Sequence, residues 1–172
     1  IQSAPKQAGD EPMVFERTTS QGSSPITTSP APSSSASGGL NEKYTFENFI
    51  VGAGNELAYA ACQAVAAEPG TKYNPLFLYG GVGIGKTHLI QAVGTAIVKA
   101  RPGTKVIYIT SEQFVKDFVE ALRAKRAADF AGYYRAADVL IVDDVQFFAW
   151  KEKVQEEFFH TFNTLRQADK QM

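Results

Sequence analysis

The chain has few of the features that assign a function on sight. Among its 172 residues there is one cysteine, Cys62, which excludes an internal disulfide and fits a reducing compartment. Set among alanines in an expected helix, that thiol reads as a small buried hydrophobe. No apolar run approaches the roughly 18 residues of a membrane span, and no signal peptide is visible. Seventeen Lys and Arg against eighteen Asp and Glu leave a net charge of -1. Global electrostatic attraction to a nucleic acid or a membrane is thereby excluded, so any such contact must come from a local patch. Large apolar residues are scarce up to residue 40, where Pro5, Pro12, Pro25, Pro30 and Pro32 alternate with Ser, Thr and Gly. Such a composition cannot offset the entropy of ordering, and residues 1–40 read as a disordered tether. A start at Ile1, and a last helix reaching Met172 without a stop signal, read as a piece of a longer polypeptide.

From Leu40 onward the character changes. Gly80-Gly81-Val82-Gly83-Ile84-Gly85-Lys86-Thr87 matches the phosphate-binding pattern G-x-x-x-x-G-K-[ST] at every fixed position. Upstream, Leu76-Phe77-Leu78-Tyr79 is an apolar run suited to a buried parallel strand; downstream, Leu89, Ile90, Val93 and Ile97 recur at helical spacing. Strand, glycine loop and helix in that order bring backbone N–H groups and a helix N-terminus around a phosphate chain. On this reading Gly81, Gly83 and Gly85 let the backbone approach, Lys86 reaches the β- and γ-phosphates, and the Thr87 hydroxyl ligates Mg²⁺.

The rest of the chain alternates the same two element types. Leu57, Ala61 and Val65 mark a helix face ended by Pro69-Gly70, and Val106-Ile107-Tyr108-Ile109 reads as a second buried strand. Thr110-x-x-Gln113 has the form of a capping box for a helix carrying Phe114, Phe118 and Leu122. A short helix around 129–135 precedes a third strand, Val139-Leu140-Ile141-Val142, which ends in Asp143-Asp144. A final helix points Val154, Phe158, Phe159, Phe162 and Leu165 inward. Strands alternating with helices specify an α/β fold with a parallel sheet. An apolar strand ending in two carboxylates, downstream of a phosphate loop, supplies the other half of a nucleotide site. Asp143 would hold the metal and Asp144 would orient or deprotonate the attacking water. Lys86, Asp143 and Asp144 are thus the candidate catalytic residues, with Thr87 and Asp143 the candidate metal ligands. His88 reads as packing or capping beside the loop, and His160 as an ordinary helix-face residue.

Three strings, YTFENFIVGAGNELAYAA, YNPLFLYGGVGIGKTHLIQAVG and DVLIVDDVQFFAWKEKVQEEFFHTFNTL, resemble the AAA+ module of the DnaA family of bacterial replication initiators. The likeness runs from Tyr44 to about Leu165. It implies a P-loop NTPase (AAA+) sheet with flanking helices over 41–172, incomplete, behind the family's variable linker. It also implies ATP or ADP with Mg²⁺ as ligands, and Val51 and Gly52 beside the adenine. The implied function is an ATP-switched protein that assembles on and opens the chromosomal origin, with slow hydrolysis as the off switch. Implied partners are double-stranded origin DNA through a C-terminal domain, single-stranded DNA through the AAA+ module, further copies in an ATP-dependent oligomer, the replicative helicase and regulators, and acidic phospholipids. The implied location is the bacterial cytoplasm, on the nucleoid. The stretch from Phe114 to Tyr134 corresponds to the family's helical insertion, which makes Lys116, Arg123, Lys125, Arg126 and Arg135 candidate DNA contacts. The pattern departs at Trp150, where a small or polar residue such as Gly or Asn is expected, and at Ala131-Gly132, where more basic residues are expected.

The implied sheet order, 5-1-4-3-2, separates the phosphate-loop strand from the acidic strand by one that comes later in sequence. That strand is expected beyond Met172, leaving two unpaired edges, so the chain by itself is expected to fold only locally and to hydrolyse ATP negligibly. Two other readings compete: a related AAA+ helicase loader or regulator without a DNA-reading domain, and a metabolic P-loop kinase. The paired acids and the Phe-rich helix after them argue against the kinase.

Overall fold

The computed structural model describes residues 37–172, so most of the expected linker lies outside the described residues. Three parallel strands, β1 (Ser37–Gly38), β2 (Val106–Thr110) and β3 (Val139–Asp143), form a sheet in that order. Helices α1 (Glu56–Ala67) and α2 (Lys86–Ala100) precede β2; α3 (Ser111–Arg123) and α4 (Ala127–Arg135) join β2 to β3. A 3-10 turn (Val145–Phe148) and α5 (Glu152–Gln167) follow β3. Ser37 and Gly38 pair with Val106 and Ile107 along the edge of β2.

β2 and β3 are rich in β-branched residues and pair over five positions, from Val106↔Val139 to Thr110↔Asp143. Alternation along the strands sorts their side chains into two layers. Val106, Tyr108, Val139 and Ile141 face α1 and α2, where Cys62, Val65, Leu89, Val93 and Ile97 close a core. Ile107, Ile109 and Leu140 face α3, α4 and α5 around Phe114, which is wholly buried. Phe114 meets Phe130 and Tyr134 at 5.0 Å, Phe148 at 5.5 Å and Phe158 at 5.8 Å between ring centroids. Gly94 lets α2 lie close on the sheet: a Cβ there would come within 2.8 Å of Leu40 Cδ2 and 2.9 Å of Ile141 Cδ1.

Several expectations are corrected. Leu76–Tyr79 is extended but forms no strand. Its visible backbone partner is the last residue, since the Leu76 N–H donates to the Met172 carbonyl at 2.9 Å. Gln171 makes a parallel bridge with Val139. The stretch 170–172 thus already lies between the two halves, where the separating strand was expected to begin only after Met172. Past it the gap stays open as an apolar slot of about 320 Å³, lined by Leu76, Val93, Leu140, Val142, Phe158 and Phe162 among others. On α1 the buried face is Cys62 and Val65, while Leu57 is exposed; Leu122 and Phe159 also point outward. The Thr110 hydroxyl does accept the Gln113 N–H, but the Gln113 side chain bonds Asp117 instead of completing the box.

Candidate nucleotide-binding site

The glycine loop and the acidic strand end meet on the α2 side of the sheet. Gly85 precedes α2 with φ 90, a left-handed conformation that favours glycine. Space imposes the same choice, since a Cβ there would lie 2.5 Å from Cε2 of Phe49. No side chain caps α2, which leaves its first N–H groups for an anion. Lys86 curls beneath the loop, its Nζ donating to the carbonyls of Gly80 (3.0 Å) and Gly81 (2.7 Å). Val82 is fully exposed at the loop's tip.

One residue on, the Thr87 hydroxyl donates to Oδ2 of Asp143 at 2.8 Å, across 56 positions of sequence. Asp143 is 7% exposed, and its carboxylate takes two further donors: the Tyr108 hydroxyl on Oδ2 (3.1 Å) and the Asp144 N–H on Oδ1 (2.9 Å). Burial and the neighbouring Asp143 charge push the Tyr108 hydroxyl up to about 12, so it remains a protonated donor. Asp144 is exposed and adopts a left-handed conformation, φ 56, ψ 41. The Ser111 hydroxyl, buried at the start of α3, holds it there by donating to its carbonyl at 2.6 Å. Its Oδ1 accepts from Gln146 Nε2 at 3.1 Å. A hydroxyl and carboxylates are all oxygen donors, and such a set suits Mg²⁺, which is held by few protein ligands and completes its shell with phosphates and water.

Beside the loop, Phe49 packs against Gly85 and His88 and leads into the exposed Ile50 and Val51. Asn55 shapes this bend: its Oδ1 accepts the Gly52 N–H at 2.8 Å, and its Nδ2 donates to the Ile50 carbonyl at 3.1 Å. His88 is a packing residue, its Nε2 donating to the Thr45 carbonyl and its ring set between Tyr44 and Phe49. On the opposite layer Lys116, Arg123, Lys125 and Arg126 are exposed, whereas Arg135 is taken up by Glu157 at 2.8 Å. Trp150 is 97% exposed with φ 66, which explains why Gly or Asn is expected at its position.

Tyr108, Ser111 and Asn55 are absent from the sequence reading of the site. Tyr108 and Asp143 share a sheet face, but only the register of β2 on β3 brings them together. Asn55 after Gly52-Ala53-Gly54 did carry a signal, a side chain suited to bonding a nearby turn.

A family model, the bacterial DnaA ATPase domain, matches residues 40–172. The crystal structure of domain III of the replication initiation protein DnaA from Thermotoga maritima is 51% identical with TM-score 0.74, over 77% of this chain and 55% of that one. A replication initiator DnaA bound to AMPPCP and single-stranded DNA is 49% identical with TM-score 0.73, over 77% of this chain and 41% of that one. AMPPCP-bound DnaA from Aquifex aeolicus gives the same figures. The chain thus spans between about two fifths and just over half the length of these relatives. With the motifs and the family model in agreement, the chain belongs to the bacterial DnaA ATPase domain family.

Proposed function

We propose that this chain is the nucleotide-binding part of a replication initiator, in which ATP acts as an assembly ligand on origin DNA and slow hydrolysis ends the active state. Gly81, Gly83, Gly85 and Lys86 would hold the phosphates, Val51 and Gly52 would border the adenine, and Thr87 and Asp143 would hold Mg²⁺. When bound, that ion would neutralise charge on the phosphate oxygens. Lys86 supplies a positive charge once it leaves the loop carbonyls. Asp144, raised from the sheet by its left-handed backbone, presents a carboxylate that can orient a water or take its proton. Exposed Lys116, Arg123, Lys125 and Arg126 are proposed contacts to DNA phosphates, with Arg135 serving as an internal strut through Glu157. Origin duplex, further copies of the chain, the replicative helicase, regulators and acidic phospholipids are proposed partners of the whole protein, in the bacterial cytoplasm.

The observation that supports this reading best is the 2.8 Å bond between Thr87 and Asp143, which joins the phosphate loop to the acidic strand end at one point. A fluorescent ATP analogue titrated against the full-length protein with and without Mg²⁺ tests it. Lys86→Ala is expected to weaken binding by about a hundredfold, as suits a lost charged contact to phosphate. Asp143→Ala should abolish the benefit of Mg²⁺ while leaving metal-free binding. Unchanged affinity in both variants would refute the assignment.

A further inference from the structure

Asp143 receives more donors than a metal ligand needs, and one of them comes from outside the two motifs. The Tyr108 hydroxyl reaches Oδ2 at 3.1 Å from the neighbouring strand, while Thr87 reaches the same oxygen at 2.8 Å. Tyr108 pairs with Ile141 and Asp143 pairs with Thr110, so the contact runs diagonally across one face of the sheet. A short side chain at 108 could not span that diagonal.

Tyr108 is itself held in place. The Gln91 carboxamide on α2 is 4% exposed and lies behind the same sheet face. Its Oε1 accepts the Asn41 N–H at 3.0 Å. Gly39, in the turn just before Asn41, lies against the Tyr108 backbone and ring: a Cβ there would sit 2.6 Å from the Tyr108 carbonyl oxygen and 3.5 Å from Cδ1. The segment after β1 therefore packs directly on Tyr108, whose hydroxyl reaches Asp143.

We infer that Tyr108 is a positioning residue for Asp143. The inference rests on the proposed role of Asp143 as a metal ligand. Thr87 and Asp143 bond each other directly here, and a hydroxyl that ligates a cation through its oxygen still has a proton to donate. The Tyr108 hydroxyl is the donor to Oδ2 from outside the two motifs, and with the Asp144 N–H on Oδ1 it fixes the plane of the carboxylate. Without the hydroxyl that plane is held less firmly when a cation binds. Tyr108 would touch neither nucleotide nor metal, so its loss should be felt through Mg²⁺ alone.

The same fluorescent ATP analogue, titrated in EDTA and in excess Mg²⁺ against the full-length protein, provides the test. Tyr108→Phe keeps the ring and its packing. It is expected to leave affinity in EDTA within about twofold and to cut the enhancement by Mg²⁺ about tenfold, the size of one lost hydrogen bond to a charged group. In an Asp143→Asn background Tyr108→Phe should cost nothing further, because it acts through that carboxylate. Full enhancement in Tyr108→Phe, or an equal loss in the Asp143→Asn background, would overturn the inference while leaving the nucleotide reading intact. A wild-type full-length protein with no enhancement by Mg²⁺ would overturn the nucleotide reading and this inference with it.

Discussion

Two four-residue apolar runs, Leu76–Tyr79 and Val139–Val142, are close to interchangeable as text, yet the structure treats them differently. Val139–Asp143 is a strand paired along β2, with helices over both faces and Asp143 fixed by three donors. Leu76–Tyr79 is extended without pairing; Phe77 is 64% and Tyr79 83% exposed. Leu76 and Leu78 still pack against the α1–α2 core. The loops that follow differ in the opposite sense. After Tyr79 the left-handed backbone is assigned to glycines, whereas after β3 it falls on Asp144 and Trp150, which have Cβ atoms. Hydrophobicity makes a run fit to be a strand, but a neighbour makes it one. A well-paired strand can in turn support a strained loop at its end.

The largest test of this contrast removes one side chain from each half. Phe114 is wholly buried behind β2 and β3 amid four aromatic rings, and Phe114→Ala should cost about 3–5 kcal/mol. Leu78 is only half-buried, so Leu78→Ala should cost about 1–2 kcal/mol, because less apolar surface returns to water. Urea unfolding at matched slope measures both. Equal costs would mean that the phosphate-loop run is as tightly held as the acidic strand, and the contrast would fail.

Much of this could be read from residues alone. Gly80–Thr87 and Asp143-Asp144 have fixed local spacing, and the Thr110 cap and the buried Phe114 face follow from helical periodicity. What could not be read depends on partners distant in sequence. The pairing of Ser37–Gly38 with β2 needs a free strand edge, and a Ser/Gly composition does not announce one. Leu57 and Phe159 sit at plausible periodic positions, but each helix buries a narrower stripe than its apolar residues suggest. Trp150 is an intermediate case. The expectation of Gly or Asn was a correct sign of the backbone conformation, with the unusual side chain left pointing into solvent. Trp150→Gly should therefore stabilise the chain by roughly 0.5–1 kcal/mol. Relief of about 1–2 kcal/mol of left-handed strain exceeds the added freedom of glycine in the unfolded chain. Thermal unfolding is the readout, and a lower melting temperature would show that the loop carries no such strain.

The smallest effect concerns what joins the halves. The 170–172 stretch is tied to the acidic strand by Lys170 on Asp138 and to the phosphate-loop side by Asn74, whose amide donates to the Lys170 carbonyl at 2.9 Å. The bond from Lys170, then the Lys105 N–H, hold the Asp138 carboxyl below its ordinary value of 3.8. A depressed carboxylate adds stability that is fully present above its unfolded value and is lost as the pH falls through the folded one. Both partners are 39% exposed, so solvent screening keeps the contribution under about 1 kcal/mol. Asp138→Asn should thus be slightly less stable than the parent at pH 7. The difference should shrink as the pH is taken below 3.8, where the parent carboxylate begins to protonate. If the deficit were instead the same at pH 3 and pH 7, the clasp would be held by shape and neutral hydrogen bonds, and its charge would have no part in joining the two halves.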